Sequence, residues 1–152
     1  MAAGSTTIHA SAVLVGTRAV LIRGPSASGK SRLALELLEA GRIGAVLFAR
    51  LVADDRVHLE TAGGRLLARP AAALAGLIEV RGVGLLRLAH EPSAVVGFVV
   101  DLAAADAVRL PEPDKRTADI DGILIPRLAV APDAAALPLV LAFINSSPES
   151  WI

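Results

Sequence analysis

The sequence predicts an α/β domain with a mixed central β-sheet, and three observations carry this prediction. A short apolar run at residues 19–22 leads into a glycine-bounded loop and then into an amphipathic stretch at residues 32–38, which is the order strand, loop, helix. Further β-branched and aliphatic runs are separated by turn residues or helical stretches along the chain. The run at residues 94–100 is long and apolar, as expected of a strand in a sheet that is covered on at least one face.

The first third of the chain predicts a hairpin, a loop and a helix. Residues 8–15 and 19–23 form two strands joined by a turn that contains Gly16. The helix that follows the loop ends at Gly41, a residue suited to a left-handed cap. An apolar run at residues 50–53 then leads into the adjacent acids Asp54 and Asp55.

The remaining elements follow from turn and breaker signals. Residues 56–60 and 65–68 form a second hairpin around Gly63 and Gly64, and a short helix occupies residues 70–77. Residues 78–86 are part strand and part glycine loop, and residues 94–102 form a buried strand. Residues 109–122 predict a solvated loop and residues 123–126 a strand. A last helix, capped by Asp133, extends to about residue 144, before a frayed tail at residues 145–152. The sequence shows no internal boundary, so residues 1–152 are predicted to form a single domain.

Composition excludes several functional classes. The 152 residues suit one compact domain, and with 54% hydrophobic but only 3% aromatic residues the core must be aliphatic. Fifteen basic and fifteen acidic residues give no net charge, which argues against nucleic acid and membrane surfaces as partners. The absence of cysteine excludes disulfides and thiolate metal sites. With no apolar run long enough to span a membrane and no basic N-terminal signal, we expect a cytoplasmic protein.

The glycine-bounded loop has the G-x-x-x-x-G-K-[ST] spacing of a phosphate-binding P-loop. Its residues are Gly24, Pro25, Ser26, Ala27, Ser28, Gly29, Lys30 and Ser31. Such a loop directs backbone N–H groups and a helix N-terminus at phosphate oxygens, while Lys30 reaches the outer phosphates and Ser31 ligates Mg²⁺. Only two lysines occur, Lys30 and Lys115, in a chain that otherwise uses arginine. A chance turn of small residues is the alternative, but the flanking strand and helix favour nucleotide binding.

Several polar residues are candidates for the chemistry beside this loop. Asp54 and Asp55 end a strand, where acidic residues of P-loop proteins help to bind Mg²⁺, and one of them is free to act as a base. Glu79 and Arg81 lie two apart and share a strand face, a geometry suited to a carboxylate for Mg²⁺ and an arginine for phosphate. The alternative for each pair is a solvated surface pair. Asp101, at another strand end, is a rival metal ligand.

The histidines give weaker signals. His9 alternates with Ser11 and Val13, so a single strand at residues 8–15 places the three on one face. A lone histidine in a strand is more often structural than catalytic. His58 and His90 have less claim to a role, and no zinc site is predicted because no spaced ligand set is present.

Taken together, the motifs resemble the catalytic domain of bacterial HPr kinase/phosphorylase over residues 6–126. Four segments match in order: residues 8–13, the P-loop, residues 51–57 with the paired aspartates, and residues 78–85, which are similar to the signature E-[IV]-R-G-[LIV]-G. The matching residues begin close to Met1, so the chain resembles the short form of the family, without the N-terminal domain of the long form.

This resemblance implies an ATP- and Mg²⁺-dependent serine kinase whose partner is HPr, the small carrier protein of the sugar phosphotransferase system. It implies a fold related to phosphoenolpyruvate carboxykinase and a hexameric assembly. By position, Asp54 takes the proton of the substrate serine with His9 close to it, and Arg81 holds phosphate. Ser31, Asp55 and Glu79 serve Mg²⁺. In the reverse direction, inorganic phosphate attacks the phosphoserine and gives pyrophosphate.

One departure concerns the long form's C-terminal motif P-V-x-P-G-R-N, for which residues 125–128 offer only a proline and Arg127. It places the phosphorylase activity and a substrate-docking C-terminal helix in more doubt than the kinase activity. Two alternatives remain open at this point. One is a kinase of another acceptor on the same scaffold, and the other is a nucleotide-sensing module without transfer activity.

Overall fold

The computed structural model describes residues 5–146, which form eleven strands, two α-helices and two 3-10 turns. The strands are β1 (Ser5–His9), β2 (Ser11–Val15), β3 (Arg18–Arg23), β4 (Ala49–Ala53), β5 (Arg56–Ala62), β6 (Arg65–Pro70), β7 (Leu77–Val80), β8 (Gly84–Arg87), β9 (Ala94–Asp101), β10 (Thr117–Ile120) and β11 (Ile123–Ala129). The helices are α1 (Lys30–Arg42) and α2 (Ala136–Asn145), and the 3-10 turns are Ala72–Leu74 and Pro113–Arg116. Neither α-helix is long and apolar enough to cross a bilayer.

Nine of these strands form one mixed sheet, with the spatial order β1-β5-β6-β9-β3-β2-β4. The pairs β3–β9 and β9–β11 are parallel, and the remaining pairs are antiparallel. Strand β9 is a branch point, because β6 pairs with its first two residues and β11 with its last three. β10 extends the sheet from β11, while β7 and β8 form a separate hairpin. The predicted α/β class with a mixed sheet is therefore confirmed.

The centre of the sheet is buried on both faces. Along β3, Val20 and Ile22 belong to the apolar cluster that includes Leu33 and Leu37 of α1, whereas Leu21 points to the cluster on the opposite face. This alternation is the normal two-residue repeat of a strand. Because β3 lies between β2 and β9 with both faces packed, the loop that follows it starts from a fixed point.

The predicted hairpins and the long apolar strand are present. Strands β2 and β3 pair as an antiparallel hairpin, and β5 and β6 pair around Gly63 and Gly64. Strand β9 covers residues 94–101, close to the predicted bounds.

The prediction of one strand over residues 8–15 is wrong, because the chain breaks at Ala10. β1 pairs with β5, whereas β2 pairs with β3 and β4, so the two halves belong to different parts of the sheet. Ala10 is fully buried and donates its N–H to the carbonyl of Asp55, at 3.2 Å. As a result His9 is exposed while Ser11 is buried, and they do not share a face.

Five other expectations differ from the structure at element ends. Helix α1 continues past Gly41 to Arg42, and the stretch at residues 70–77 holds only a 3-10 turn because Pro70 still belongs to β6. The predicted loop at residues 109–122 contains a 3-10 turn and β10. Helix α2 begins at Ala136 without a side-chain cap, so Asp133 does not cap it. Of the predicted tail, Asn145 belongs to α2, and residues 147–152 lie outside the described residues.

Gly41 lies where α1 packs closely against the first residue of β4, Ala49. A Cβ atom at this position would lie 2.7 Å from the Cβ of Ala49 and 2.9 Å from its backbone nitrogen. We therefore expect Gly41→Ala to lower the free energy of unfolding by about 1–2 kcal/mol, since the overpacking exceeds the gain in helix propensity. Urea unfolding would measure this loss. Arg32→Ala, at an exposed position of the same helix, is the matched control. A stabilised Gly41→Ala variant would contradict the prediction.

Candidate active site

The glycine-bounded loop connects the carboxyl end of β3 to the first turn of α1. Gly29 occupies the cap position with φ 99°, and its carbonyl accepts the N–H of Leu33 at 2.9 Å, which closes the first helical turn. Gly29 has no side chain that could cap the helix, and α1 has no acidic residue in its first turn. The N–H groups at the start of an α-helix have no partner within the helix, and together with the helix dipole they attract an anion. The loop is thus built as an anion-binding site.

Lys30 folds back over this loop. Its Nζ donates to the carbonyl oxygens of Gly24 at 2.8 Å and of Pro25 at 3.0 Å. The ammonium group is therefore held at the loop by two neutral acceptors, and a phosphate oxygen is a stronger partner for it.

Asp54 is one of the two buried polar or charged side chains within residues 5–146, at 4% exposure, and the other is Ser11. Its carboxylate accepts the hydroxyl of Ser31 at 2.7 and 2.9 Å and the hydroxyl of Ser11 at 2.6 Å. The backbone N–H of Glu79 also donates to it, at 3.3 Å. Asp54 itself lies in the turn after β4, and three other elements fix the orientation of its carboxylate: β2, α1 and β7.

The neighbouring carboxylate of Asp55 faces a different environment. Asp55 has φ 68°, a left-handed conformation that Asp adopts more readily than most residues, and it turns the chain between β4 and β5. Asp55 lines an open cleft, while Asp54 lies beneath it against Ser31. The turn thus brings two adjacent acids to one site in different roles, one buried and one accessible.

The cleft has a volume of about 620 Å³ and joins the P-loop to the β7–β8 hairpin. Its polar lining includes Lys30 and Ser31 of α1, Asp55 of the β4–β5 turn, and Glu79 and Arg81 at the β7–β8 hairpin. Leu35 and Val80 add apolar surface. The arrangement places cationic and anionic groups around one space, a combination of charges that suits a phosphorylated ligand together with a metal ion.

Not every predicted site residue lies at this cleft. His9 is exposed at the end of β1, opposite Arg56 in the strand register, and is not among the residues that line the cleft. Arg127 is bound to two aspartates, Asp101 and Asp106, at 2.6 and 2.9 Å. Asp101, the rival metal ligand, is likewise engaged, because Arg23 and Arg127 both donate hydrogen bonds to it.

The oxygen ligands that the cleft offers suit Mg²⁺. Ser31, Asp55 and Glu79 offer hydroxyl and carboxylate oxygens, the ligands that hard cations prefer. Within residues 5–146, three or more His, Asp or Glu side chains do not come together as a ready-made metal cage. Mg²⁺ typically needs no such cage, since it keeps several waters and shares its coordination with substrate phosphates. The residues present therefore fit a metal that arrives with a nucleotide.

Sequence reasoning missed one serine, Ser11, whereas Ser28 was predicted as part of the glycine-bounded loop. Ser11 is fully buried and donates to Asp54 across 43 residues of chain. Ser28 lines the cleft, and its Oγ is buried without a hydrogen-bond partner among the described residues. The available signal for Ser11 was a hydroxyl between two alanines in an apolar strand, but the acid that it contacts depends on the pairing of β2 with β4.

Comparison with known proteins gives a consistent result. The family model described as HPr Serine kinase C-terminal domain matches residues 1–95. An HPr kinase/phosphorylase of Chromobacterium violaceum is 34% identical over 161 residues, covering 97% of this chain and 48% of that protein. An HPr kinase/phosphorylase of Streptococcus thermophilus is 43% identical over 82 residues, covering 53% of this chain and 24% of that protein. The chain thus spans half or less of these relatives' length.

The fold comparison extends further along the chain than the family model. The solved structure of the Hpr(Ser) kinase/phosphatase from Coxiella burnetii superposes with a TM-score of 0.75 at 25% identity. The alignment covers 92% of this chain and 94% of that one. The likeness therefore includes strands beyond residue 95.

Proposed function

This chain belongs to the HPr serine kinase C-terminal domain family, and we propose that it is an ATP- and Mg²⁺-dependent kinase that phosphorylates a serine of HPr. The observation that supports this proposal most is the carboxylate of Asp54, which is buried beside the P-loop and bound to Ser31 at 2.7 Å. A module that only sensed nucleotide would need the loop but no oriented carboxylate next to it. The family's name supports HPr as the acceptor.

In this proposal the P-loop holds the phosphates of ATP. The loop N–H groups, the start of α1 and Lys30 bind them, and the unpartnered Oγ of Ser28 is a further donor for a phosphate oxygen. Ser31, Asp55 and Glu79 hold Mg²⁺, which neutralises charge on the phosphates when it is bound. Arg81, which also lines the cleft, holds the transferred phosphoryl group.

The chemical step is a single in-line displacement. The serine hydroxyl oxygen of the acceptor forms a bond to the γ-phosphorus, the bond to the ADP oxygen breaks, and the hydroxyl proton passes to Asp54. Ser11 and the N–H of Glu79 keep the carboxylate of Asp54 in place during this transfer. His9 lies in β1, which pairs with β5, and the family resemblance implies that it lies close to Asp54.

We also propose the reverse reaction at the same site. Inorganic phosphate attacks the phosphoserine, the bond from phosphorus to the serine oxygen breaks, and Asp54 returns its proton to that oxygen, which gives pyrophosphate. The family resemblance further implies a relation to phosphoenolpyruvate carboxykinase and a homo-oligomer of six copies, and the sequence composition led us to propose a cytoplasmic location. Light scattering on the purified protein would measure the oligomeric state.

The direct test incubates the purified chain with HPr, Mg²⁺ and ATP and follows HPr by intact-mass spectrometry. We expect one added phosphate, located on a serine by fragmentation. If HPr stays unmodified while ATP is consumed in the presence of another acceptor, the proposed substrate is wrong and the kinase assignment stands. If ADP binds but no acceptor is phosphorylated, the chain is a nucleotide-sensing module.

A further inference from the structure

Four charged side chains form a cluster at the carboxyl ends of β3, β9 and β11, outside the cleft described above. Arg23 donates from Nε and Nη2 to the two carboxylate oxygens of Asp101, at 2.8 and 2.9 Å. Arg127 donates from Nε to Asp101 at 2.6 Å and from both terminal nitrogens to Asp106 at 2.9 Å. We call Arg23, Asp101, Arg127 and Asp106 the arginine–aspartate cluster.

The cluster is well ordered by its own contacts. The side chains of Arg127 and Asp101 are only 13% and 16% exposed, so their charges are largely removed from water. Burial alone would raise the pKa of Asp101, but the hydrogen bonds and charges of Arg23 and Arg127 outweigh it and hold that pKa below its usual value. Two-pronged contacts between arginine and carboxylate fix direction as well as distance. Arg23 is therefore held in one orientation.

The cluster connects directly to the P-loop. Arg23 is the last residue of β3 and is bonded to Gly24, the first residue of the loop. Leu102, which follows Asp101, donates its N–H to the carbonyl of Arg23 at 2.8 Å. Leu102 also lies against Gly24, where an added Cβ would be 3.1 Å from its own. Both the side chain and the backbone of Arg23 are thus tied to the segment that carries Asp101.

Three of the four residues lie beyond the part of the chain that the family model matches. The match ends at residue 95, whereas Asp101, Asp106 and Arg127 follow it. We propose that the arginine–aspartate cluster is a positioning device for the nucleotide, through which the C-terminal third of the chain fixes the start of the P-loop. This inference rests on the proposed function only in that the loop binds a nucleotide. It also gives Arg127 a role at a distance from the phosphates, as a positioning residue.

The test compares Asp101→Asn with the wild-type chain in three measurements. Asparagine keeps the size but accepts fewer hydrogen bonds from the two arginines and leaves their charges uncompensated on that side. We expect the Kd for Mg-ADP and the KM for ATP to rise about tenfold, with kcat at saturating ATP within about twofold of wild type. Hydrogen–deuterium exchange of a peptide covering residues 23–31 should become faster.

Two further variants keep the test decisive if Asp101→Asn does not fold. Asp106→Asn removes the negative charge and one of the two acceptor oxygens that Asp106 offers to Arg127, and it should raise the Kd for Mg-ADP by about threefold. Glu91→Gln is the control, because it removes an ion pair of 3.0 Å with Arg50 on β4 and should leave the Kd unchanged.

The outcomes separate the proposals. An unchanged Kd and exchange rate in Asp101→Asn and Asp106→Asn would overturn the positioning role and leave the cluster as a stability element. An equal rise in Kd for Glu91→Gln would overturn it as well, since any lost ion pair would then act alike. A wild-type chain that binds no Mg-ADP would overturn the nucleotide part of the proposed function and the cluster's role with it. Normal binding of Mg-ADP without phosphorylation of HPr would overturn only the proposal that HPr is the substrate.

Discussion

Asp54→Asn is expected to lower kcat for HPr phosphorylation by about a thousandfold, because asparagine cannot accept the proton of the serine hydroxyl. The amide oxygen can still accept the hydroxyls of Ser11 and Ser31, so the buried contacts of residue 54 are largely retained. We therefore expect the Kd for Mg-ADP to stay within about threefold of wild type. Steady-state kinetics with HPr and calorimetric titration with Mg-ADP would measure the two quantities separately.

The control for this prediction is Asp133→Asn, which makes the same chemical change at an exposed aspartate away from the cleft. It should leave both kcat and the Kd unaltered. Phosphorylation by Asp54→Asn at a rate close to wild type would show that the proton goes elsewhere. In that case Asp55, the accessible neighbour that lines the cleft, is the next residue to replace. If Mg-ADP binding fell in proportion to kcat, Asp54 would instead act by positioning Ser31.

Lys30→Ala is expected to raise the Kd for ATP by roughly a hundredfold, because it removes the loop's only side-chain ammonium from the phosphates. Without nucleotide, Lys30 donates to two loop carbonyls, so its loss also costs about 1 kcal/mol of unfolding free energy for each of these hydrogen bonds. Both effects are measurable on one sample, by titration and by urea unfolding. Expressed as free energies, the loss of ATP binding should exceed the loss of folding stability.

Lys115→Ala is the natural comparison, since it replaces the other lysine of the chain at a position in a 3-10 turn outside the cleft. Its nucleotide affinity should equal that of the wild type. Equal losses in the two variants would mean that net charge, and not the placement of Lys30, controls binding. If Lys30→Ala kept the wild-type affinity for ATP, the P-loop would not be the nucleotide site that we propose.

The local features of this chain could be predicted from the sequence because their causes are local. The spacing of Gly24, Gly29 and Lys30 between an apolar run and an amphipathic run placed a loop between β3 and α1. Turn residues placed the β5–β6 hairpin around Gly63 and Gly64, since few other residues fit such turns. The mixed sheet followed from strands and helices in this order. The paired aspartates, Glu79 and Arg81 were candidates from their positions in the sequence, and the resemblance to a family added the specific roles that spacing alone left open.

Contacts between distant segments could not be predicted in this way. Ala10 interrupts an apolar run that looks continuous, because β1 and β2 pair with different strands, and only that pairing separates exposed His9 from buried Ser11. Likewise, the turn at Asp55 sends one acid beneath Ser31 and leaves the other in the cleft. A sequence of adjacent acids contains no information about which one becomes buried.

The sequence by itself therefore determined the glycine-bounded loop between β3 and α1, the class of the sheet and the polar residue types near that loop, since each depends on neighbours within a few positions. Only the tertiary structure decided that Ala49 packs against Gly41 so closely that a side chain at residue 41 would clash. It also decided that Asp54 accepts a hydrogen bond from Ser11 and that Arg127 donates to Asp101 instead of lining the cleft. The physical reason is that burial and ion pairing are set by which strands lie side by side. The parallel pairing of β3, β9 and β11 brings together charges that are 26 and 78 residues apart along the chain.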